Sequence, residues 1–435
     1  MPREKSTQKG GFVKRDRMPD HVRLLSRIEK AFEHPAEFYR FERVVFPILE
    51  HPRLFSQLGK AGLFDERTPV SVRLRSGDEY VLRISGLLSI LRGYEENKMN
   101  DIPHPLKFYM EEEVFFSPTH RKEDVVEHRE WAIIMIGDEG PIAEVEIIQI
   151  FWKAFEKLGL GERVQFQINA VGCVSCRSGF RSSLASFLRT RLLRLCKNCR
   201  RNAKSSQVKV LGCENEECKR ILEQAPQVLD FLCEMCKKHL RGVLEFLEES
   251  KIPYFLNHGL FLEGLWYDNF VFEFVHTIPG SGEEPPRRLV LAEGGRMMRA
   301  GEAAYGKRLD VAGGLAFMDE VEEILIDKGK LGAGQKKIDV FFAHLSDAAK
   351  KKSLPLLEEL RAGGVSVEES LGKDSIRSQL KIAERVNAKV ALILGQKEAL
   401  DSTIIVREME SGIQETIPQE KLIEFLKKKL KKENA

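Results

Sequence analysis

No stretch of this 435-residue chain approaches the roughly 18 consecutive apolar residues that a membrane-spanning helix needs. The opening segment, MPREKSTQKGGFVKRDRMPD, has no apolar block either. It lacks the middle region of a secretory leader, so the expected location is the cytoplasm, with no membrane partner. Net charge is also scarce. Lys and Arg number 69 and Asp and Glu 66, and a balance of +3 argues for no particular partner at the level of the whole chain. No cysteine lies outside Cys173–Cys236, which excludes a disulfide framework spanning the fold. No internal repeat is present, which excludes a solenoid. One further absence is local: between Arg177 and Lys204 there is no Asp or Glu.

What is present reads as a soluble, globular chain of two or three domains. The tail up to Met18 is basic and expected to be disordered. Val22, Leu25, Ile28 and Phe32 recur at helical spacing from His21 to Glu33. RVVFPILEH reads as a buried strand interrupted by Pro47, and SVRLRSGDEYVLRIS as a hairpin. A helix is expected over Ser85–Tyr94, and KFYMEEEVFFSP and REWAIIMIG are two further strands. GPIAEVEIIQIFWKAFEKLG is an amphipathic helix with its stop at Gly159, and VQFQINAVG a strand running into the first cysteines. Phe270, Phe272 and Phe274 alternate in a later strand, and Phe272 and Phe274 are sheet core. RRLVLAEGGRM continues that sheet. After the Gly-rich linker Lys330–Lys337, strands alternate with helices, which predicts a small α/β domain with a mostly parallel sheet. His104, His120 and His128 have no ligand spacing to the cysteines and are expected on surface loops.

The eight cysteines form four pairs: Cys173 with Cys176, Cys196 with Cys199, Cys213 with Cys218 and Cys233 with Cys236. A CxxC knuckle offers two thiolates to one tetrahedral ion, so four pairs make two closed sites, and about two structural Zn2+ ions are expected. Spacing leaves open which pairs share an ion. A closed four-thiolate site has no position free for catalysis; its metal stabilises a loop-rich insert. The acid-free stretch, with Arg181, Arg189, Arg191, Arg194, Arg200 and Arg201, is a candidate RNA-binding face, the alternative being a solvated helix face.

Here the residues resemble a known family. LLEELRAGGVSVEES, SIRSQLKIAERVNAKVALILGQKEAL and STIIVREMESGIQETIPQEKL are similar to the anticodon-binding domain shared by the histidyl, prolyl, threonyl and glycyl synthetases. NCRRNAK, LGCENEECK and FLCEMCKKHL resemble the insert of a zinc-type bacterial branch of the histidyl-tRNA synthetases, and the rest resembles their class II core in order and spacing. The resemblance implies an α+β antiparallel core over residues 19–168 and 251–329, a cysteine-rich zinc insertion over 169–250 and an α/β anticodon-binding-type domain over 338–432, behind the tail 1–18. It also implies tRNA or tRNA-like RNA as a partner, and a homodimer through the segment that RVVFPILEH resembles.

The same resemblance locates what is missing. Family members activate histidine with ATP and Mg2+, and arginines clamp the phosphates. The strand resembling LRPEGT is Leu82-Arg83-Ile84-Ser85-Gly86-Leu87, without its Glu and Thr. The motif resembling VFRYE is Val114-Phe115-Phe116-Ser117-Pro118, with Phe116 in the arginine's place. The stretch resembling EFHQFGVE runs from Glu127 to Ile134 and contains Glu130. The loop resembling RGLDYYTGTVFE begins with Glu263 where the catalytic arginine would stand, and the motif resembling GLER reads Met318-Asp319-Glu320-Val321, with Val321 in the arginine's place. Arg83 and Arg296 are retained. These vestigial positions imply a paralogue that has lost aminoacylation and keeps an RNA-binding or regulatory role. The family's regulatory subunit of ATP phosphoribosyltransferase is a precedent, although it lacks the anticodon-type domain kept here. The alternative is a working histidine–tRNA ligase with a rearranged site, for which ATP and Mg2+ would be required.

Overall fold

Six long strands rich in β-branched and aromatic residues carry the first part of the chain: β1 (Leu106–Pro118), β2 (Val125–Ile136), β3 (Gln165–Gly172), β4 (Asp268–Ile278), β5 (Arg287–Arg296) and β6 (Val311–Phe317). The computed structural model describes residues 12–13, 16–53, 67–118, 125–262, 267–280, 286–329, 338–369 and 375–432. It divides into two units, Met1–Ala333 and Gly334–Ala435. In the first unit the long strands lie in the order β3-β4-β5-β6-β2-β1, every neighbouring pair antiparallel. Nine helices are used below: α1 (Pro19–Phe38), α2 (Gly86–Glu96), α3 (Ile142–Lys157), α4 (Val174–Arg191), α5 (Lys197–Ser205), α6 (Glu216–Leu222), α7 (Glu234–Glu249), α8 (Met298–Tyr305) and α9 (Met318–Asp327).

Side-chain alternation gives the sheet two buried faces. Trp131, Ile133, Phe272 and Phe274 point to the face covered by α1, α3 and α9. There α3 places Ile148, Phe151 and Phe155 at helical spacing against the sheet, and the Phe166 and Phe274 rings stack at 4.6 Å. As expected, α3 stops at Gly159, whose φ of +70° suits a residue without Cβ. Met110, Ala132, Ile134 and Leu315 point to the opposite face, under α2 and α8.

RVVFPILEH is not one buried strand. Only Glu42–Arg43 and Leu49–Glu50 pair, the first in parallel with β1 and the second with Glu79–Leu82. The residues between follow an irregular path because Pro47 has no N–H to donate and the Phe46 carbonyl is taken by the Arg83 guanidinium at 3.0 Å. Within the segment expected to be a disordered tail, Phe12–Val13 pair in parallel with Val125–Val126, and Arg17 bridges to Asp319 and Glu322.

The second unit has Val367–Glu369, Val340–His344 and Val390–Leu394 in parallel, then Thr403–Glu408 and Gln414–Pro418 antiparallel. The sheet is therefore mixed rather than mostly parallel. A tight turn at Gly412, where φ is +72°, folds the last two strands into a hairpin. Val340, Phe342, Leu392 and Leu357 of the helix Asp347–Ala362 form its core. The expected linker Lys330–Lys337 lies outside the described residues.

One buried polar group joins three elements of the first unit. Glu144 on α3 receives two hydrogen bonds from Arg296 at the end of β5, at 2.8 and 2.5 Å, and lies 2.7 Å from His239 Nε2 on α7. Arg296 also donates to the carbonyls of Asp138 and Gly140. Burial alone would raise the Glu144 pKa, but Arg296 and His239 outweigh it and the pKa is lowered. A depressed carboxylate contributes stability above its unfolded pKa of about 4.3 and loses it as pH falls through the lower folded value. Glu144→Gln should lower unfolding stability by about 3–5 kcal/mol, because Arg296 is left buried without a counter-charge. It should also remove that component of the acid transition. Urea unfolding at pH 7 and at descending pH measures both.

Candidate functional site

The β1–β2 ladder aligns Phe116, Val114, Glu112 and Met110 with Val126, His128, Glu130 and Ala132, so these residues share the face of the sheet under α2. Activation chemistry would need phosphate-binding cations on this face. It is instead largely filled. Leu87, Met110, Ala132, Ile134, Met297 and Leu315 are buried in one apolar cluster. Leu87 Cδ2 lies 3.1 Å, and Met297 Sδ 2.8 Å, from the point where a Cβ on Gly313 would sit. At Gly86 the corresponding point is 2.7 Å from the Ala132 methyl.

Both retained arginines are held by the scaffold. Arg83 is buried, with Glu112 at 2.8 Å and the carbonyls of Glu113 and Phe46 around it. Arg296 is taken up by Glu144. Phe116 is half-buried beside Val126, and Glu130 is buried opposite Phe317. Val321 belongs to the other face. It is fully buried in the cluster under α1 and α3, in the apolar stripe that Val321, Ile324 and Leu325 make along α9. The charged residues that α9 brings to the β1–β2 side are Glu320, which bonds His128 at 2.9 Å, and Asp319, 3.8 Å from it. Glu263 lies outside the described residues, as does His120.

His104 sits on an exposed loop as expected, against the Tyr94 hydroxyl. His128 does not. It is on β2 and largely buried, because the alternation that points Glu130 inward also points His128 inward. Burial disfavours its charged form, but Glu320, Asp319 and Glu130 outweigh burial and raise its pKa.

The cysteines gather into two clusters. Cys173, Cys176, Cys233 and Cys236 form one, and Cys196, Cys199, Cys213 and Cys218 the other, with the sulfurs of each within 4.8 Å of one another. The first pair thus joins the fourth, and the second joins the third. None is in a disulfide. Sulfur separations of 3.5 Å (Cys173–Cys176) and 3.9 Å (Cys176–Cys236 and Cys196–Cys213) lie close to the edge of about 3.8 Å expected for a tetrahedron with metal–sulfur bonds near 2.3 Å. Backbone amides point at the sulfurs: Cys199 N to Cys196 Sγ, Cys196 N to Cys218 Sγ and Cys233 N to Cys176 Sγ. These amides come largely from helix starts, since α4, α5 and α7 begin one residue after Cys173, Cys196 and Cys233. The amide bond from Cys199 holds Cys196 down at about 7, and that from Cys236 holds Cys233 down at about 7, while burial pushes Cys199 and Cys236 up. Four adjoining thiols cannot all ionise without a cation, so the donor set fits a divalent metal, and either cluster could hold one. Gly172, with φ of +69°, must be glycine: a Cβ there would stand 2.6 Å from Cys176 Cβ.

The basic stretch is not one face. Arg181, Arg189, Arg194, Arg200 and Arg201 are exposed, and Arg191 folds over the Phe187 ring at 4.0 Å. Arg191 and Arg194 meet Arg220 of α6 around an open cavity of about 510 Å3 that also contains Glu217. Arg200 and Arg201 lie outside it on α5. Arg220 was missed because Glu217 and Lys219 beside it make its segment read as mixed charge.

Residues 339–429 match the family described as the anticodon binding domain. Over 415 residues the chain is 28% identical to a histidine–tRNA ligase of Acetivibrio thermocellus, covering 95% of this chain and 98% of the relative. It is 27% identical over 424 residues to that of Caldicellulosiruptor bescii, covering 96% and 98%. Among solved structures it is similar to the apo S. aureus histidyl-tRNA synthetase (TM-score 0.75, 23% identity, 95% of this chain and 98% of that one). It is also similar to an ATP phosphoribosyltransferase regulatory subunit/histidyl-tRNA synthetase from Bacillus halodurans (TM-score 0.62, 16% identity, 90% and 99%).

Elemental analysis of the purified protein should return two metal ions per chain, one for each cluster. Cys213→Ser should lower the count towards one and destabilise the cysteine-rich module. A metal-free protein with paired thiols would contradict this.

Proposed function

Because the chain belongs to the class II histidyl-tRNA synthetase family, we propose that it is a paralogue that no longer activates histidine and that binds tRNA or a tRNA-like RNA in a non-catalytic or regulatory role. The observation that carries the reading is the filled sheet face. Leu87 and Ile134 stand where the family pattern has polar groups, and both are fully buried against apolar neighbours. Arg83 and Arg296, the cations kept from the pattern, are held by Glu112 and Glu144. Losing one preorganised donor at an oxyanion hole typically costs about 2.7–4 kcal/mol of barrier, and Phe116 and Glu263 stand at two positions where the family pattern has an arginine serving the comparable purpose. RNA recognition is retained on this reading through the anticodon-type domain, with Arg189, Arg191 and Arg194 contributing phosphate contacts. Zinc is the metal assigned to both cysteine clusters, since four thiolates in a closed tetrahedron suit it and leave no coordination position open. The cellular compartment assigned is the cytoplasm.

The names of the relatives favour the alternative, a working histidine–tRNA ligase using ATP and Mg2+. Histidine-dependent ATP–pyrophosphate exchange separates the two. The expected outcome is no exchange, unrescued by Phe116→Arg, together with RNA binding that weakens steeply with salt. Replacing Arg189, Arg191 and Arg194 by Ala should lower RNA affinity and flatten the salt slope by about one for each lost phosphate contact. Robust exchange by the unaltered protein would install the alternative.

The chain is assigned as a homodimer. Phe38, Val45, Ile48 and Leu49 are large apolar side chains left exposed in and beside the segment that resembles the family's dimer motif. Light scattering at micromolar protein should give twice the mass of the 49.7 kDa chain, and Val45→Asp should shift it towards the monomer.

A further inference from the structure

Arg177 breaks the pattern of the basic stretch to which it belongs. Its neighbours in that stretch are mostly exposed, but Arg177 is only 8% exposed, and its Nη2 is buried with no hydrogen-bond partner among the described residues. Burying a guanidinium with an N–H unsatisfied is costly, and such a group is suited to an acceptor from a ligand. Beside it is a cavity of about 330 Å3 lined by Val174, Arg177, Ser178, Arg181, Ser182 and Arg299. Three arginines and two serines thus surround one small volume at the start of α4, an 18-residue helix whose first turn begins at Val174. Its N-cap, Cys173, belongs to a cysteine cluster, so the cationic character of the cavity comes from the guanidinium groups.

The nearby acid is Asp268, buried and accepting a hydrogen bond from the Arg299 backbone N–H at 3.0 Å. Asp268 and Cys173 oppose the charge of Arg177, while Arg181 and Arg299 add to it. No ion pair to Arg177 or Arg181 is present among the described residues. Guanidinium groups recognise phosphate oxygens in bidentate geometry, and serine hydroxyls complete such a shell.

We propose that this cavity binds the phosphoryl group of a small phosphate ester, with Arg177 as the buried anchor, Arg181 and Arg299 as flanking cations and Ser178 as a hydroxyl donor. The volume is near the lower end for small-molecule pockets, which favours a compact ester over a polymer chain. Its lining comes from α4 and from Arg299 of α8, and the proposal does not depend on whether the core activates histidine.

The test uses the full metal-loaded chain and isothermal titration with inorganic phosphate, followed by glycerol phosphate and by a short RNA with and without a 5′ phosphate. The expected result is one saturable site per chain for inorganic phosphate and for glycerol phosphate. Arg177→Gln should weaken it by about tenfold or more, and the exposed Arg181→Ala should weaken it severalfold. Metal content should be unchanged in both variants. Phosphate affinity equal in wild type and Arg177→Gln would overturn the proposal. Loss of metal from Arg177→Gln with phosphate affinity retained would also overturn it, and would assign Arg177 to balancing the charge of the adjoining thiolates. Saturable binding of the phosphorylated RNA alone would overturn the ligand class. None of these titrations contains histidine, ATP or tRNA, so their failure leaves the reading of the sheet face untouched.

Discussion

Glu144 has no exposed surface, and a carboxylate so deep persists as an anion because Arg296 clasps it from the sheet and His239 reaches it from the cysteine-rich module. Much of the first unit converges on that contact. It fixes the end of β5 to the start of α3 and pins the turn at Asp138 and Gly140 through their carbonyls. It also ties α7 to the core, although α7 begins at one cysteine cluster and ends under the sheet. An apolar replacement could fill the same volume, but it would not fix the rotation of three elements at once, as a bidentate guanidinium–carboxylate pair does.

The same contact bears on the β1–β2 face. An arginine clasped by a buried carboxylate is unavailable to a ligand, and Arg83 is similarly consumed by Glu112 and the carbonyls of Glu113, Phe46 and Pro47. The scaffold thus uses both arginines as struts. Burying side chains such as Leu87 and Ile134 contributes on the order of 1.5–3 kcal/mol each. Apolar filling of this face is therefore a source of stability in its own right.

Much of this was legible in residue patterns. The stop of α3 at Gly159, the sheet-core role of Phe272 and Phe274 and the composition of the cysteine-rich module all follow from periodicity and spacing. The pairing of cysteines was not legible, because spacing within a knuckle says nothing about distance between knuckles. The path of RVVFPILEH was misread because its partner for Phe46 is a side chain far along the chain. His128 looked like a loop residue because β2 begins before its apolar run does. Arg177 could have been found. It lies three, seven and eleven positions before Phe180, Leu184 and Leu188, on the buried stripe of α4, where an arginine is out of place.

The cysteine clusters are nested. The outer one joins Cys176 to Cys233, 57 positions apart, and the inner one joins Cys196 to Cys218, 22 positions apart, inside that interval. Closing the inner loop first shortens the slack the outer loop must gather. In a chain-entropy description the gain is only about 0.4 kcal/mol, since closure cost grows with the logarithm of loop length. The two knots are therefore nearly independent as far as backbone slack is concerned. Cooperation between them would have to pass through the packed side chains they share, among them Phe180, Leu184 and Val210. The inner knot, with less chain to gather, is the one placed to tie first as the polypeptide emerges.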